Sequence, residues 1–204
     1  MRQVVLATKN LGKIKEFERL LGEFASDIQV LGLKDFPDLP EVEETGDSFE
    51  SNSLLKAEAI ARYTKLPALA DDSGLCVAHL DDAPGIFSAR WAGVHGDDLA
   101  NNKKLLSQLS GVNNRAAKFK CVVTFIEPNS KKVIAEVGEV HGEIVDEPRG
   151  DSGFGYDPIF WLSDYGCTAA ELESDLKNRI SHRGQALQQL LQSLSAASVG
   201  SLLC

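Results

Sequence analysis

Leu66-Pro67-Ala68-Leu69-Ala70-Asp71-Asp72-Ser73-Gly74 sets an uncharged, largely apolar run directly against two carboxylates, a hydroxyl and a glycine. An apolar run of that length, opened by Pro67 and closed by turn formers, reads as a buried strand, and open α/β sheets collect ligands just beyond the carboxyl ends of their strands. The pattern therefore predicts a strand that ends at Asp71-Asp72, with both side chains at a sheet edge facing a cleft. Neighbouring residues on an extended backbone point to opposite sides, so one of the two would face metal and water directly. Carboxylates this close repel unless they share a cation or a proton, and magnesium is the usual companion where phosphate is bound. An Asp-Ser-Gly turn is the competing reading.

Upstream, Val4-Val5-Leu6-Ala7 reads as a first buried strand. The loop Thr8-Lys9-Asn10-Leu11-Gly12-Lys13 follows, then a helix with Ile14, Phe17, Leu20 and Leu21 on one face. A polar loop opening a helix offers orphan N–H groups and the positive end of the helix dipole to an anion, and Lys9 and Lys13 add charge. This is not a Walker A loop, because Ala7 replaces its first glycine and Ile14 its magnesium-binding hydroxyl. An ordinary strand-to-helix turn remains open. Residues 34–46 read as a surface connection ending in Glu41, Glu43 and Glu44 before Thr45-Gly46. Asp47 as N-cap with Glu50 three residues on predicts a helix through about Tyr63. Asn52 and Lys56, four apart, share one face of it, while Leu54, Ala57 and Ala61 supply packing on another.

Downstream, the Pro84-Gly85 turn leads to Ile86-Phe87-Ser88-Ala89-Arg90-Trp91 and a short helix from about Leu99 to Leu109. Phe119, Cys121, Val123 and Phe125 alternate with polar residues as a half-buried strand. With the turn Pro128-Asn129-Ser130 and a return over Val133 to Val140, this predicts an antiparallel hairpin. Gly153 and Gly155 flank Phe154, which would present a ring for stacking on a flat base; a flexible turn with a core-facing ring is the alternative. Tyr156 and Asp157 complete that stretch. Thr168 and Glu171 read as a capping box for a helix to about Asn178, with Lys177 near its end. His182 and Arg183 open a last helix with Leu187, Leu190, Leu191 and Leu194 as its apolar stripe. One domain over residues 1–194 is expected, with 195–204 as a poorly ordered tail.

Composition narrows the function classes. In 204 residues with 43% hydrophobic content and a net charge of -9, a sizeable core is affordable, and binding to polymeric nucleic acid or an anionic membrane is disfavoured. The four cysteines lack Cys-x-x-Cys spacing, no stretch has the ~20 apolar residues of a membrane span, and the N-terminal apolar run is too short for a secretory signal. A cytoplasmic protein is expected.

Taken together, Ala7 to Lys13 with Glu16, Glu44-Thr45-Gly46, Ala70 to Leu75, Pro84 to Arg90, Gly153 to Pro158 and Ser181 to Leu187 resemble the inosine and xanthosine triphosphatase (Ham1-like) family, pyrophosphatases of noncanonical purine nucleoside triphosphates. The resemblance covers residues 3 to about 192. It implies an elongated, two-lobed α/β fold with a long, twisted mixed β-sheet flanked by helices, a nucleotide cleft between the lobes, and a homodimer. It also implies a house-cleaning hydrolase that converts inosine, deoxyinosine and xanthosine triphosphates to monophosphate plus pyrophosphate. Thr8, Lys9, Asn10, Leu11, Gly12 and Lys13 would hold the triphosphate, and Lys56 and Ser73 would contact phosphate. Glu44 and Asp72 would bind magnesium, Asp72 also taking the proton of the attacking water. Phe154, Gly155, Tyr156, Asp157, Lys177, His182 and Arg183 would hold the base and its neighbouring groups, and Asp71 would act from behind. Lys9 stands where many members carry Gly, and Trp91 where Tyr is frequent.

The chemistry is consistent with that resemblance. Donors such as His182 and Arg183 would be satisfied by the 6-carbonyl of hypoxanthine or xanthine and left unpaired against the 6-amine of adenine. A phosphatase releasing orthophosphate and a non-catalytic nucleotide-binding module are the alternatives.

Overall fold

The chain runs β1 (Arg2–Leu6), α1 (Leu11–Phe24), β2 (Ile28–Gly32), α2 (Phe49–Thr64), β3 (Ala68–Val77), α3 (Asp98–Gln108), β4 (Ala116–Glu127), β5 (Lys132–Ile144), β6 (Phe160–Leu162), β7 (Cys167–Thr168), α4 (Ser174–Ile180) and α5 (His182–Ala197). These elements belong to a computed structural model that describes residues 2–24, 28–130 and 132–197. The strands form one sheet in the order β2-β1-β3-β4-β5-β6-β7. β1 pairs in parallel with β2 and β3, while β6 is antiparallel to β5 and β7, so the sheet is mixed as expected. Among the described residues no helix is long and apolar enough to cross a membrane.

Two compact units divide the chain. The first comprises the described parts of Met1–Asp72, Cys121–Gly138 and Arg183–Cys204, the second Ser73–Lys120 and Glu139–His182. In the first unit the two-residue period of the strands sorts side chains into two apolar layers. Val4, Leu6 and Leu69 pack with Phe17, Leu20 and Leu21 of α1 and with Ala186, Leu187 and Leu190 of α5. The intervening Val5, Ala68 and Ala70 pack with Ala57, Ile60 and Ala61 of α2. In the second unit Leu75 and Val77 pack with Leu105, Leu109, Phe119, Ile144, Ile159 and Phe160.

The decisive stretch departs from its expected form. β3 does not end at the carboxylates but continues through Asp71, Asp72, Ser73 and Gly74 to Val77. Leu75 and Val77 restore full burial beyond them, and the Asp-Ser-Gly turn is thereby excluded. β4 also departs from the half-buried pattern, since from Cys121 onward both of its faces are covered; Thr124 is fully buried and receives a hydrogen bond of 2.8 Å from Ser53 Oγ.

Caps differ as well. α2 is capped by Ser48 rather than Asp47, with Ser51 returning the bond to the Ser48 N–H at 3.1 Å. Glu171 does reach Thr168, accepting from its N–H at 2.8 Å, but Thr168 lies in β7, and the helix starts only at Ser174. Ile28–Gly32, too short to stand out in the sequence, adds an outer strand. α5 carries Leu187, Leu190 and Leu194 inward as its stripe predicts and runs to Ala197, three residues past the expected end; residues 198–204 of the expected tail lie outside the described residues.

Gly74 lets β3 pass close to the turn at Gly85–Ser88. Ser88 Oγ donates to the Gly85 carbonyl at 2.6 Å and accepts from the Leu75 N–H at 2.9 Å, and a Cβ on Gly74 would strike both the carbonyl and the hydroxyl. Gly74→Ala is therefore expected to destabilise the protein by about 1–3 kcal/mol through overpacking. Urea unfolding checks this as a lowered midpoint with an unchanged slope.

Candidate functional site

Buried carboxylates need compensation, and β3 obtains it separately on its two faces. Asp71, 1% exposed, shares a face with Leu69; its Oδ2 lies 2.7 Å from Lys13 Nζ of α1 and 3.9 Å from Arg183 Nε of α5. Arg183 Nη1 in turn donates to Glu16 Oε2 at 2.8 Å. Asp72, 5% exposed, shares a face with Ala70, and its Oδ2 accepts from Asn52 Nδ2 at 3.1 Å. Lys56 Nζ lies 3.6 Å from Asp72 Oδ1 and 2.7 Å from Glu44 Oε1. The four-residue spacing of Asn52 and Lys56 on α2 thus brings both to Asp72. Asn52 Oδ1 also accepts from the Gly46 N–H at 2.8 Å, tying the loop that carries Glu44 to the helix that holds Asp72.

These surroundings drive the two carboxyls apart. Burial works to raise Asp71, but Lys13, then Lys56 and Arg183, overrule it and hold the group at about 2. For Asp72 burial wins over Lys56 and Lys13, with Glu44 adding to it, and the carboxyl lies above its ordinary value. Burial would lower the Lys56 ammonium, yet Asp72, Asp71 and Glu44 keep it raised. Adjacent carboxyls with opposite shifts suit different roles: Asp71 holds its charge firmly, and Asp72 binds a proton more readily than an ordinary carboxylate.

At the start of α1, Asn10 Oδ1 accepts from the N–H groups of Gly12 and Lys13 at 2.9 and 3.1 Å, so an anion bound there would compete with this cap. The Asn10 N–H donates to Thr8 Oγ1 at 3.2 Å, Lys9 pairs with Glu41 at 3.0 Å on the exposed surface, and Leu11 is 73% exposed. Lys13, at the end of this loop, reaches Asp71. Among the described residues no group of three or more His, Cys, Asp or Glu side chains is placed to hold a metal ion; Glu44 and Asp72 do converge on one cation, Lys56.

The second unit collects another set. The Phe154 N–H donates to Asp157 Oδ2 at 2.8 Å, and Lys177 Nζ bonds the same oxygen at 2.6 Å while lying 5.6 Å from the centre of the half-buried Phe154 ring. Gly153 has φ of 84°, and a Cβ there would run into Asp157 and Lys177. Gly155 has φ of 64°. Tyr156 is buried, its hydroxyl donating to the Ser88 carbonyl at 2.9 Å, so it braces the loop. His182 stacks on Phe119, ring centres 4.9 Å apart. Ser73 follows Asp72 in β3, partly buried.

Sequence reasoning missed Glu16 as the partner of Arg183 and Asn52 as the link between loop and strand, although the spacing of Asn52 and Lys56 pointed to a shared face. It also missed Asp98 and Asn102 of α3, which bond to the N–H and C=O of Gly155.

The family model described as "Ham1 family" matches residues 4–193. A relative named "dITP/XTP pyrophosphatase" in Geobacter sulfurreducens is 50% identical over 192 residues, 93% of this chain and 95% of that protein. One of the same name in Listeria monocytogenes serovar 1/2a is 47% identical over 196 residues, 95% of each. The solved Ham1 protein of Staphylococcus aureus superposes with a TM-score of 0.86 at 40% identity, covering 97% of this chain and all of that one. That of Coxiella burnetii gives 0.86 at 44% identity, over 96% of this chain and 100% of the other.

The depressed Asp71 predicts a pH-dependent stability. A carboxyl held below its unfolded value contributes stability above that value, near pH 4, which is lost as pH falls toward about 2. Asp71→Asn should cost about 2–3 kcal/mol at pH 7. The difference in urea midpoint from wild type should shrink steadily below pH 4; a gap independent of pH would remove Asp71 from this role.

Proposed function

Because the chain belongs to the Ham1 family, we propose that it hydrolyses noncanonical purine nucleoside triphosphates, deoxyinosine and xanthosine triphosphates foremost, to monophosphate and pyrophosphate. The observation that carries the reading is the split pair on β3: an Asp71 held low beside Lys13 and an Asp72 held above its ordinary value beside Lys56 and Glu44. Such hydrolysis needs neutralised phosphates and a base for water. Lys13 and Lys56 supply positive charge, Asp72 takes the proton, and the Thr8 to Lys13 segment, with Ser73, offers donors to phosphate oxygens.

Magnesium fits the residues present. Two carboxylates whose oxygens converge on a single ammonium are the kind of donor set that this ion uses together with water and substrate phosphate. Glu44 and Asp72 would hold it, and when bound it would polarise the attacked phosphate. Phe154 would stack on the base, with Lys177 and Asp157 fixing the loop and Gly155 and Tyr156 shaping it. His182 and Arg183 are the donors we assign to the 6-carbonyl. The proposal includes a homodimer in a reducing, cytoplasmic setting, for which the free thiols of Cys76, Cys121 and Cys167 are suited.

A panel of nucleoside triphosphates assayed with magnesium for pyrophosphate tests the proposal. Inosine and xanthosine substrates are expected to lead, and Asp72→Asn to fold normally while losing at least about 100-fold in kcat. Orthophosphate as the product, or near-wild-type turnover of that variant, would overturn it.

A further inference from the structure

The loop of Gly153, Phe154 and Gly155 is held not only by Asp157 and Lys177 but also from α3, which the proposed function does not use. Consecutive peptide N–H groups are gripped by two carboxylates from different elements: that of Phe154 by Asp157 at 2.8 Å, that of Gly155 by Asp98 Oδ2 at 2.7 Å. Asn102 Nδ2 donates to the Gly155 carbonyl at 3.0 Å. Asp98 and Asn102 stand four apart on α3, so one face of one helix holds both polar groups of one residue. Gly155 has open space where a Cβ would stand, so its place is fixed by these bonds together with a φ of 64°.

Two features favour a functional over a merely structural reason. The peptide groups on either side of the Phe154 side chain are pinned, yet the ring itself is left half-buried, an arrangement that aims a side chain instead of hiding it. Asn102 is 7% exposed and its Oδ1 finds no hydrogen-bond partner among the described residues, a cost that favours a functional reason for keeping it.

We propose that Asp98 and Asn102 are positioning residues for base recognition, a clamp on Gly155 that holds the Phe154 ring ready to stack on the purine; this rests on the pyrophosphatase reading above. Stacking on a preset ring contributes to ground-state and transition-state binding alike, so loosening the clamp raises KM and leaves kcat in place. A ligand without a base does not feel the change.

The test compares Asp98→Ala, Asp98→Asn and Asn102→Ala with wild type. For inosine triphosphate, Asp98→Ala and Asn102→Ala are expected to raise KM about tenfold with kcat within about twofold. Asp98→Asn, which keeps an acceptor for the Gly155 N–H, should stay near wild type. The inhibition constant of inorganic tripolyphosphate, a competitor with no base, should be unchanged in all three. Amide exchange across residues 153–157 should quicken in Asp98→Ala alone of the two Asp98 variants. Loss of kcat at unchanged KM, equal weakening of tripolyphosphate, or an Asp98→Asn variant as impaired as Asp98→Ala would each overturn the clamp. If wild type released no pyrophosphate from any triphosphate, the functional reading would fail first. Faster exchange in Asp98→Ala would then reduce the clamp to loop architecture and overturn its role in recognition.

Discussion

Two adjacent carboxylates inside a buried strand are the constraint from which the first unit is built. Because neighbouring residues on β3 face opposite ways, the two carboxylates meet different lysines at close range, Lys13 at Asp71 and Lys56 at Asp72, while each lysine also acts on the other carboxylate at longer range. α1 and α5 deliver Lys13 and Arg183 to Asp71 along with the apolar residues that pack beside Leu69. α2 delivers Asn52 and Lys56 to Asp72 beside Ala70. Packing and electrostatics therefore depend on one register: a slip of one residue in β3 would exchange the two faces and leave both charges against the wrong partners.

The same arrangement generates chemical asymmetry. Asp71 meets Lys13 at 2.7 Å and is driven down to about 2, while Asp72 meets its lysine at 3.6 Å with Glu44 nearby and is driven up. A strand that ended at the pair, as the apolar run suggested, would have left both in solvent with similar proton affinity. Continuation through Leu75 and Val77 is what buries them and separates their roles.

What the sequence revealed and concealed follows from range. Local periodicity was sufficient for β1, for the inner face of α1, for the stripe on α5 and for the shared face of Asn52 and Lys56. It misjudged the end of β3 because charge normally stops a buried strand, and the residues that make these charges tolerable lie far away, Lys13 on α1 and Arg183 on α5. Glu16 and Arg183 are 167 positions apart, and Asp98 and Gly155 are 57 apart; no pattern within either segment names its partner. Ser48 displaced Asp47 as the cap through hydroxyl bonds with Ser51 that are as local as any, but nearly degenerate with the rejected pair. That Glu44 and Asp72 meet at Lys56 lies equally outside local pattern, since Glu44 stands in an acidic run that reads as a solvated face.

Charge also bears on the proposed substrate. Around β3, Glu16, Glu44, Asp71 and Asp72 meet Lys13, Lys56 and Arg183, so the positive charge here is matched by carboxylates, in a chain of net charge -9. Lys9 does not alter the balance, being paired with Glu41. A triphosphate adds several more negative charges, so these lysines, already committed to carboxylates, cannot neutralise it unaided. Under the proposed function, a companion cation would offset this shortage of positive charge. Glu44 and Asp72, which both approach Lys56, are the pair the proposal assigns to it.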